Sequence, residues 1–364
     1  MHVLVVNAGS SSLKLSVLDD DRLLFSESLS LERGRIDAEA LEATVRRAGA
    51  IDAVGHRIVH GGTEFIGPVL VDEQVVQRLE ALSDLAPLHQ PKSLRGLELV
   101  TRLLPRTPAV ACFDTAFHAS IPAAASTYAL PVEWRKRWPL RRFGFHGLSH
   151  AYAARRVAEL SGRRPEGLRL VTCHLGAGAS LAAVANGRSV DTTMGFTPLE
   201  GLVMATRAGS VDPGLVLWLE EHAGTPPSEL AATLEHRSGL LALAGSADMR
   251  AVLEAEAAGD ERAALAVEVY LHRLRGGIAA MAASLNGLDA LVFTGGVGEN
   301  APPIRSRAAA GLAFLGISLA PSNEDARADA EIGTPDAPVR SFLIAAREDL
   351  EIAQQVRGLL AARR

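Results

Sequence analysis

The chain has 364 residues, of which 48% are hydrophobic and 22% charged, with a formal net charge of −5. These are the proportions of an ordinary folded chain, which excludes disorder, and the length exceeds one core of usual size, so two domains are expected. The charge supplies no basic field for nucleic acid or anionic lipid, and the densest basic run, Arg135-Lys136-Arg137 followed by Arg141-Arg142, reads as a solvated face.

Residues 3–6 (VLVV) form a short β-branched run, followed by the small polar turn NAGSSS and a second apolar stretch from Leu13 to Leu18, which predicts strand, tight turn, strand. Residues 35–49 and 72–83 carry helical patterns. VGHRIVHGG (54–62) reads as a strand ending at a glycine pair, and AVACFDTAFH (109–118) as a buried strand with Asp114 towards its C-terminal end. The second half repeats this logic. Residues 168–190 again read as strand, Gly-rich turn, strand, with Asn186-Gly187 marking a second hairpin turn. A helix at 214–223, a long Ala-rich helix at 260–285 and a strand at 288–300 running into glycines before a helix follow. An amphipathic helix over 347–363 closes the chain. Two halves that each open on a hairpin and continue in strand–helix units predict a duplicated α/β architecture with a cleft between the domains. The boundary falls near 115–150.

Cys112 and Cys173 lie in apolar strands, far apart in sequence, and make neither a disulfide framework nor a zinc pattern. The first residues lack a basic leader, and no apolar run reaches 18 residues. A cytoplasmic location is the expectation.

Three glycine-rich or small-residue loops stand at strand ends: NAGSSSLK (7–14), HLGAGAS (174–180) and TGGVGEN (294–300). Small residues let backbone N–H groups approach an anion, and Lys14 adds a point charge. One such loop is usually only a turn, whereas three in one chain favour a bound nucleotide. None has the GxxxxGK[ST] or GxGxxG spacing, which disfavours P-loop and Rossmann folds.

Phosphoryl transfer needs positioning and neutralisation of charge, which arginines and a metal supply. Arg57 sits in an otherwise apolar strand, and Arg207 lies in a segment of small residues. Each reads equally as a structural ion pair or as a grip on an anion. Asp114 suits an acid, a base or a metal partner. Glu348 at the start of the last helix suits either the helix dipole or a magnesium ion. Of the 11 histidines, the pairs His56/His60 and His146/His150 have four-residue spacing but no HExxH context, so zinc chemistry is disfavoured. His146, among glycines and an aromatic, is the functional candidate.

The segments NAGSSSLK, GHRIVHGG, FDTAFH, RRFGFHGLSH, CHLGAGAS, DTTMGFTPLEGLVMATRAGSVDP, GSADMR and FTGGVGENA occur in the order seen in acetate kinases, and the resemblance covers about residues 2–355. It implies an α/β fold of two duplicated RNase H-like (actin-like ATPase) domains with an active-site cleft between them. Residues 1–116 and the C-terminal helix 350–364 would form the first, and 117–349 the second, nucleotide-binding domain. It further implies reversible, in-line phosphoryl transfer from ATP to acetate, giving acetyl phosphate and ADP, in a homodimer joined through the second domain. By resemblance, Asn7 and Glu348 serve a Mg2+ (or Mn2+) ion, and Lys14 belongs to the ATP site. Arg57 binds the carboxylate, Asp114 gives or takes a proton, and His146 and Arg207 stabilise the transition state. The nucleotide is expected against His174, Leu175, Gly176, Ala177 and Gly178, against Asp248, Met249 and Arg250, and against Gly296, Val297, Gly298, Glu299 and Asn300. The acyl group is expected against Val59, Leu88, Phe145 and Pro198. Two departures stand out. Ala177 replaces the asparagine of the family's HLGNG, and Gln90 replaces the asparagine of LHNP. A propionate or butyrate kinase with the same machinery is the nearest alternative, since one methylene is worth only about 1–3 kcal/mol. An actin- or Hsp70-like nucleotide switch is the more distant one, because it would not need a carboxylate-binding arginine.

Overall fold

The computed structural model describes residues 1–9, 12–30, 36–86 and 90–363, arranged as two compact units. The first comprises Met1–Ala119, Phe145–Tyr152 and the stretch from Arg347 onwards; the second comprises Ser120–Gly144 and Ala153–Ala346. Phe145–Tyr152, expected in the second domain, thus belongs with the first unit. The amide of Gly147 donates to the Asp114 carbonyl at 2.9 Å, and His118 Nε2 lies 3.0 Å from the Phe145 carbonyl.

The first unit is built on a six-stranded mixed sheet. Its strands are β1 (His2–Ala8), β2 (Ser12–Asp19), β3 (Arg22–Ser30), β4 (Ala53–Ile58), β5 (Val69–Leu70) and β6 (Ala109–Phe113), in the order β3-β2-β1-β4-β6-β5. β1, β4 and β6 run parallel; the others pair antiparallel. The strand at 109–118 is shorter than expected. It stops at Phe113, and Ala116–His118 turn into a 3-10 helix. Alternation sends Leu4, Val6, Leu13, Leu15 and Val17 into one core with Leu41 and Val45 of the helix Ala38–Arg47. That helix is capped by Asp37, whose carboxylate accepts from the amides of Glu39 and Ala40.

The second unit repeats the plan. β7 (Arg169–Leu175), β8 (Ala179–Ala185), β9 (Arg188–Thr192), β10 (Ala290–Thr294), β11 (Ala330–Glu331) and β12 (Arg340–Leu343) form a sheet of order β11-β12-β10-β7-β8-β9. β7, β10 and β12 are parallel, and β7-β8-β9 form the antiparallel meander. The Asn186-Gly187 turn has φ of 54° and 74°, the paired positive values that a type I′ hairpin requires. Helices occupy Pro213–Ala223, Glu261–Ser284 and, in the first unit, Glu348–Ala361, close to the expected bounds. TGGVGEN differs from expectation: Gly295–Asn300 are themselves a helical turn. Both cysteines are free and buried, and Arg135–Arg137 are exposed. Among the described residues, no helix is long and apolar enough to cross a membrane.

Candidate active site

In the first unit the C-terminal ends of three adjacent parallel strands carry Asn7, Arg57 and Asp114, the end of a parallel sheet where ligands usually bind. Glu348 reaches the same place from the first turn of Glu348–Ala361. That helix lies hard against β4, since a Cβ on Gly55 would come within 2.5 Å of the Ile352 side chain. Arg57 is the hub. Its Nε lies 3.1 Å from both Asp114 carboxylate oxygens, and Nη2 donates to Oδ2 at 2.6 Å. Its Nη1 donates to Asn7 Oδ1 at 3.0 Å and stands 3.6 Å from Glu348 Oε2, which also accepts from Asn7 Nδ2 at 2.8 Å. Burial works against the Arg57 charge, yet Asp114 and Glu348 raise its pKa above the ordinary value. Burial pushes the Asp114 carboxyl above its usual range, against the pull of Arg57, and Glu348 acts in the same direction as burial.

His146 precedes Gly147, whose amide donates to the Asp114 carbonyl. Its φ of 57° is a left-handed conformation uncommon outside glycine, and such strain is often kept where a side chain has work to do. The next residue must be glycine, because a Cβ on Gly147 would lie 2.1 Å from the Asp114 carbonyl oxygen. Phe145 is buried and packs edge-on against His60, with ring centroids 5.6 Å apart. Gln90 fixes this wall. Its Oε1 accepts from the His60 amide at 3.1 Å, and its Nε2 donates to the His60 carbonyl at 3.0 Å. Val59 is buried beside it in sequence.

Burial lowers the pKa of His56 from 6.5 to about 3, and of His60 and His118 to about 4. Among the described residues, neither ring nitrogen of His56 has a hydrogen-bond partner. Each folded-state value is depressed, so the unfolded chain binds more protons below pH 6.5. Stability is complete above that value and drains as pH falls towards about 4. At pH 5 the loss is on the order of 2 kcal/mol per histidine, from about 1.4 kcal/mol per pK unit. Denaturant midpoints measured between pH 7.5 and 5 should fall steeply, and His56→Phe should flatten the slope. A pH-independent midpoint would refute this reading.

In the second unit a cavity of about 840 Å³ is lined by Gly176, Ala177, Asp248, Met249, Arg250, Gly296, Val297 and Asn300. Three separate segments of the nucleotide expectation therefore meet in one hollow. Asp248 is also the N-cap of Met249–Ala257, its carboxylate accepting from the Arg250 amide at 2.9 Å. The Arg207 loop abuts the same wall, since the amide of Ala205 donates to the Ala177 carbonyl at 3.1 Å and Ala205 lines the cavity. Arg207 Nη1 approaches the Pro198 carbonyl at 3.4 Å, and its Nε lies 3.7 Å from Glu235. Burial lowers the Arg207 pKa, and Glu235 opposes that shift.

Other expected residues fall elsewhere. His174, Leu175, Gly178, Gly298 and Glu299 are not part of the cavity wall. Leu175 is wholly buried in β7, and Glu299 accepts from the Ala346 amide at 2.9 Å. Lys14 is exposed, facing Asn7 across the β1–β2 ladder. Val59 and Phe145 lie in the first unit and Pro198 in the second, while Leu88 lies outside the described residues. The cavity also uses Leu240, Leu253 and Tyr270, which the sequence reading passed over. Leu253 stands four residues after Met249 on one helix face, a spacing that could have flagged it. The Tyr270 hydroxyl is buried and, among the described residues, has no hydrogen-bond partner.

A sequence profile of the Acetokinase family matches residues 25–354. The chain belongs to that family. It is 45% identical to the acetate kinase of Synechococcus sp. (strain JA-2-3B'a(2-13)), with 99% of each chain covered. With that of Trichormus variabilis the identity is 43%, covering 99% of this chain and all of the relative. The crystal structure of Porphyromonas gingivalis acetate kinase superposes with a TM-score of 0.92 at 35% identity, covering 99% of both chains. That of a propionate kinase from Francisella tularensis does so with a TM-score of 0.90 at 34% identity, covering 97% and 98%. The fold is therefore the two-domain, actin-like α/β fold of acetokinase-family enzymes, which are kinases with a carboxylate acceptor. Arg57, Asp114, His146, Arg207 and Glu348 fall inside the profile match, whereas Asn7 and Lys14 precede it.

Proposed function

We propose that this acetokinase-family member transfers the γ-phosphoryl group of ATP to acetate, reversibly, giving acetyl phosphate and ADP. The Arg57 group carries the reading. A guanidinium largely withdrawn from solvent, and already held by an amide oxygen and two carboxylates, is preorganised. Among the described residues it still has an Nη2 hydrogen without an acceptor to offer a substrate carboxylate. Asp114, with both oxygens on Arg57, keeps that donor fork in one orientation. In the in-line step a carboxylate oxygen forms a bond to the γ-phosphorus while the bond to the ADP oxygen breaks. His146 and Arg207 are assigned to the charge on the transferring group, and the second-unit cavity to the nucleotide. Asn7, Asp114 and Glu348 offer only oxygen donors, which suits a hard ion such as Mg2+, with Asn7 and Glu348 its holders. Bound there, the ion would neutralise phosphate charge.

A second reading concerns acyl length, because the chain resembles a propionate kinase structure almost as well as an acetate kinase. Incubation with Mg-ATP, hydroxylamine and acetate, propionate or butyrate, followed by measurement of acyl hydroxamate, tests both. Most product from acetate supports the first reading, and more from propionate or butyrate the second. No product with any acid would sink both.

Ala177 leaves the cavity wall without the amide donor that the family pattern carries. Ala177→Asn should tighten ATP binding by roughly tenfold, from about 1–3 kcal/mol per hydrogen bond in a dry site, read as a fall in KM for ATP at unchanged KM for acetate. We also infer a homodimer through the second unit. The helix Pro213–Ala223 has no buried residue and exposes Leu215, Leu217 and Trp218. A monomeric mass by light scattering would refute it. Two free, buried cysteines support a cytoplasmic location.

A further inference from the structure

A fully buried arginine stands behind the cavity wall. Arg305, on the helix Pro302–Ala310, is 0% exposed. Its Nη1 donates to the carbonyls of Gly298 and Glu299, both at 2.9 Å. Its Nε and Nη2 donate to the side-chain and backbone oxygens of Asn323, each at 2.7 Å. Asn323 is itself 1% exposed and donates from Nδ2 to Ser306 Oγ at 2.9 Å.

Every one of these hydrogen bonds ends on a neutral oxygen. A guanidinium taken out of water with no carboxylate hydrogen-bonded to it is costly, and Glu324, held through Ser306, only partly offsets the burial. What the arginine does there is hold the turn Gly295–Asn300. Gly298 and Glu299 supply the gripped carbonyls, while Gly296, Val297 and Asn300 form cavity wall on the same turn. A turn of six residues, half of them glycine, has little rigidity of its own. Its last carbonyls have no partner within the turn, and Arg305 takes them and ties them to Asn323.

We propose that Arg305 is a positioning residue for the phosphoryl donor, acting through the Gly295–Asn300 turn without touching the nucleotide. This rests on the reading of the second-unit cavity as the nucleotide site. It belongs to the donor side alone, so its loss should weaken nucleotide binding and leave the acceptor untouched.

The test compares full-length wild type, Arg305→Met, Arg305→Lys and Asn323→Ala by calorimetric titration with ADP, KM for ATP and for acetate, and melting temperature. Arg305→Met is expected to raise the ADP Kd and the KM for ATP by about tenfold or more with KM for acetate unchanged. Arg305→Lys should recover part of that loss. Arg305→Met also leaves the Gly298 and Glu299 carbonyls and Asn323 without their donor, so the melting temperature should fall as well, and nucleotide affinity against unchanged KM for acetate is the deciding readout. If Arg305→Met does not fold, Asn323→Ala, which removes one anchor of the guanidinium, should still raise the ADP Kd several-fold. Nucleotide affinity within twofold of wild type in the folded variants, whatever their melting temperatures, would overturn the proposal alone. A wild-type protein that binds no adenine nucleotide would overturn the nucleotide-site reading, and this proposal with it.

Discussion

Arg57→Ala should lower the rate of acyl hydroxamate formation on the order of 10³-fold or more, the scale on which catalytic arginines act in phosphoryl transferases, and should destabilise the protein as well. The two effects share one cause. Removing the guanidinium leaves the Asp114 and Glu348 carboxyls, which act against each other's charge, in a largely buried site without the cation they share. Breaking a buried ion pair from one side costs roughly 3–5 kcal/mol. Part of that cost disappears if a carboxyl takes up a proton, so the denaturant midpoint of the variant should recover at lower pH, opposite to the trend set by the buried histidines. Arg57→Lys separates the effects, since a point charge restores part of the stability but cannot span both Asp114 oxygens and a substrate. Arg57→Ala with near-wild-type turnover would remove the basis of the acceptor-site assignment.

Arg207→Ala should cost a comparable factor in kcat, again about 10³-fold, with a different signature. The Arg207 guanidinium lies 3.7 Å from Glu235 and 3.4 Å from the Pro198 carbonyl, in the second unit, whereas Arg57 grips both Asp114 oxygens in the first. The Arg207 loop is held independently, by amides donating from Ala205 to Ala177 and from Ser210 to Gly201. The cavity wall should therefore survive, leaving the ADP Kd within a few-fold of wild type while turnover collapses. An equal loss in Kd and kcat would assign Arg207 to binding the ground state, not to the transition state.

How far the site could be read beforehand differs between its halves. GHRIVHGG showed an arginine within an apolar strand and FDTAFH an aspartate at the end of one, but an isolated charge there reads the same whether it is structural or catalytic. Only the parallel pairing of β1, β4 and β6 sets Asn7, Arg57 and Asp114 side by side. Two of the nucleotide segments were visible as glycine-rich loops, HLGAGAS and TGGVGEN, whereas Asp248, Met249 and Arg250 came only from the family resemblance. Which of their residues form wall and which pack beneath it depended on strand ends and on a helical turn that glycines disfavour, stabilised here from behind by Arg305.

By itself the sequence determined the hairpins, the Asn186-Gly187 turn, the long Ala-rich helix and the duplicated α/β order. Those features follow from side-chain period and turn chemistry acting over a few residues. The tertiary structure alone decided that Glu348 meets Asn7 across 341 positions of chain, that Asp114 grips Arg57 with both oxygens, and that Phe145–Tyr152 joins the first unit. Such contacts arise when burial forces polar groups to find partners, and no local pattern specifies which distant partner packing will bring within reach.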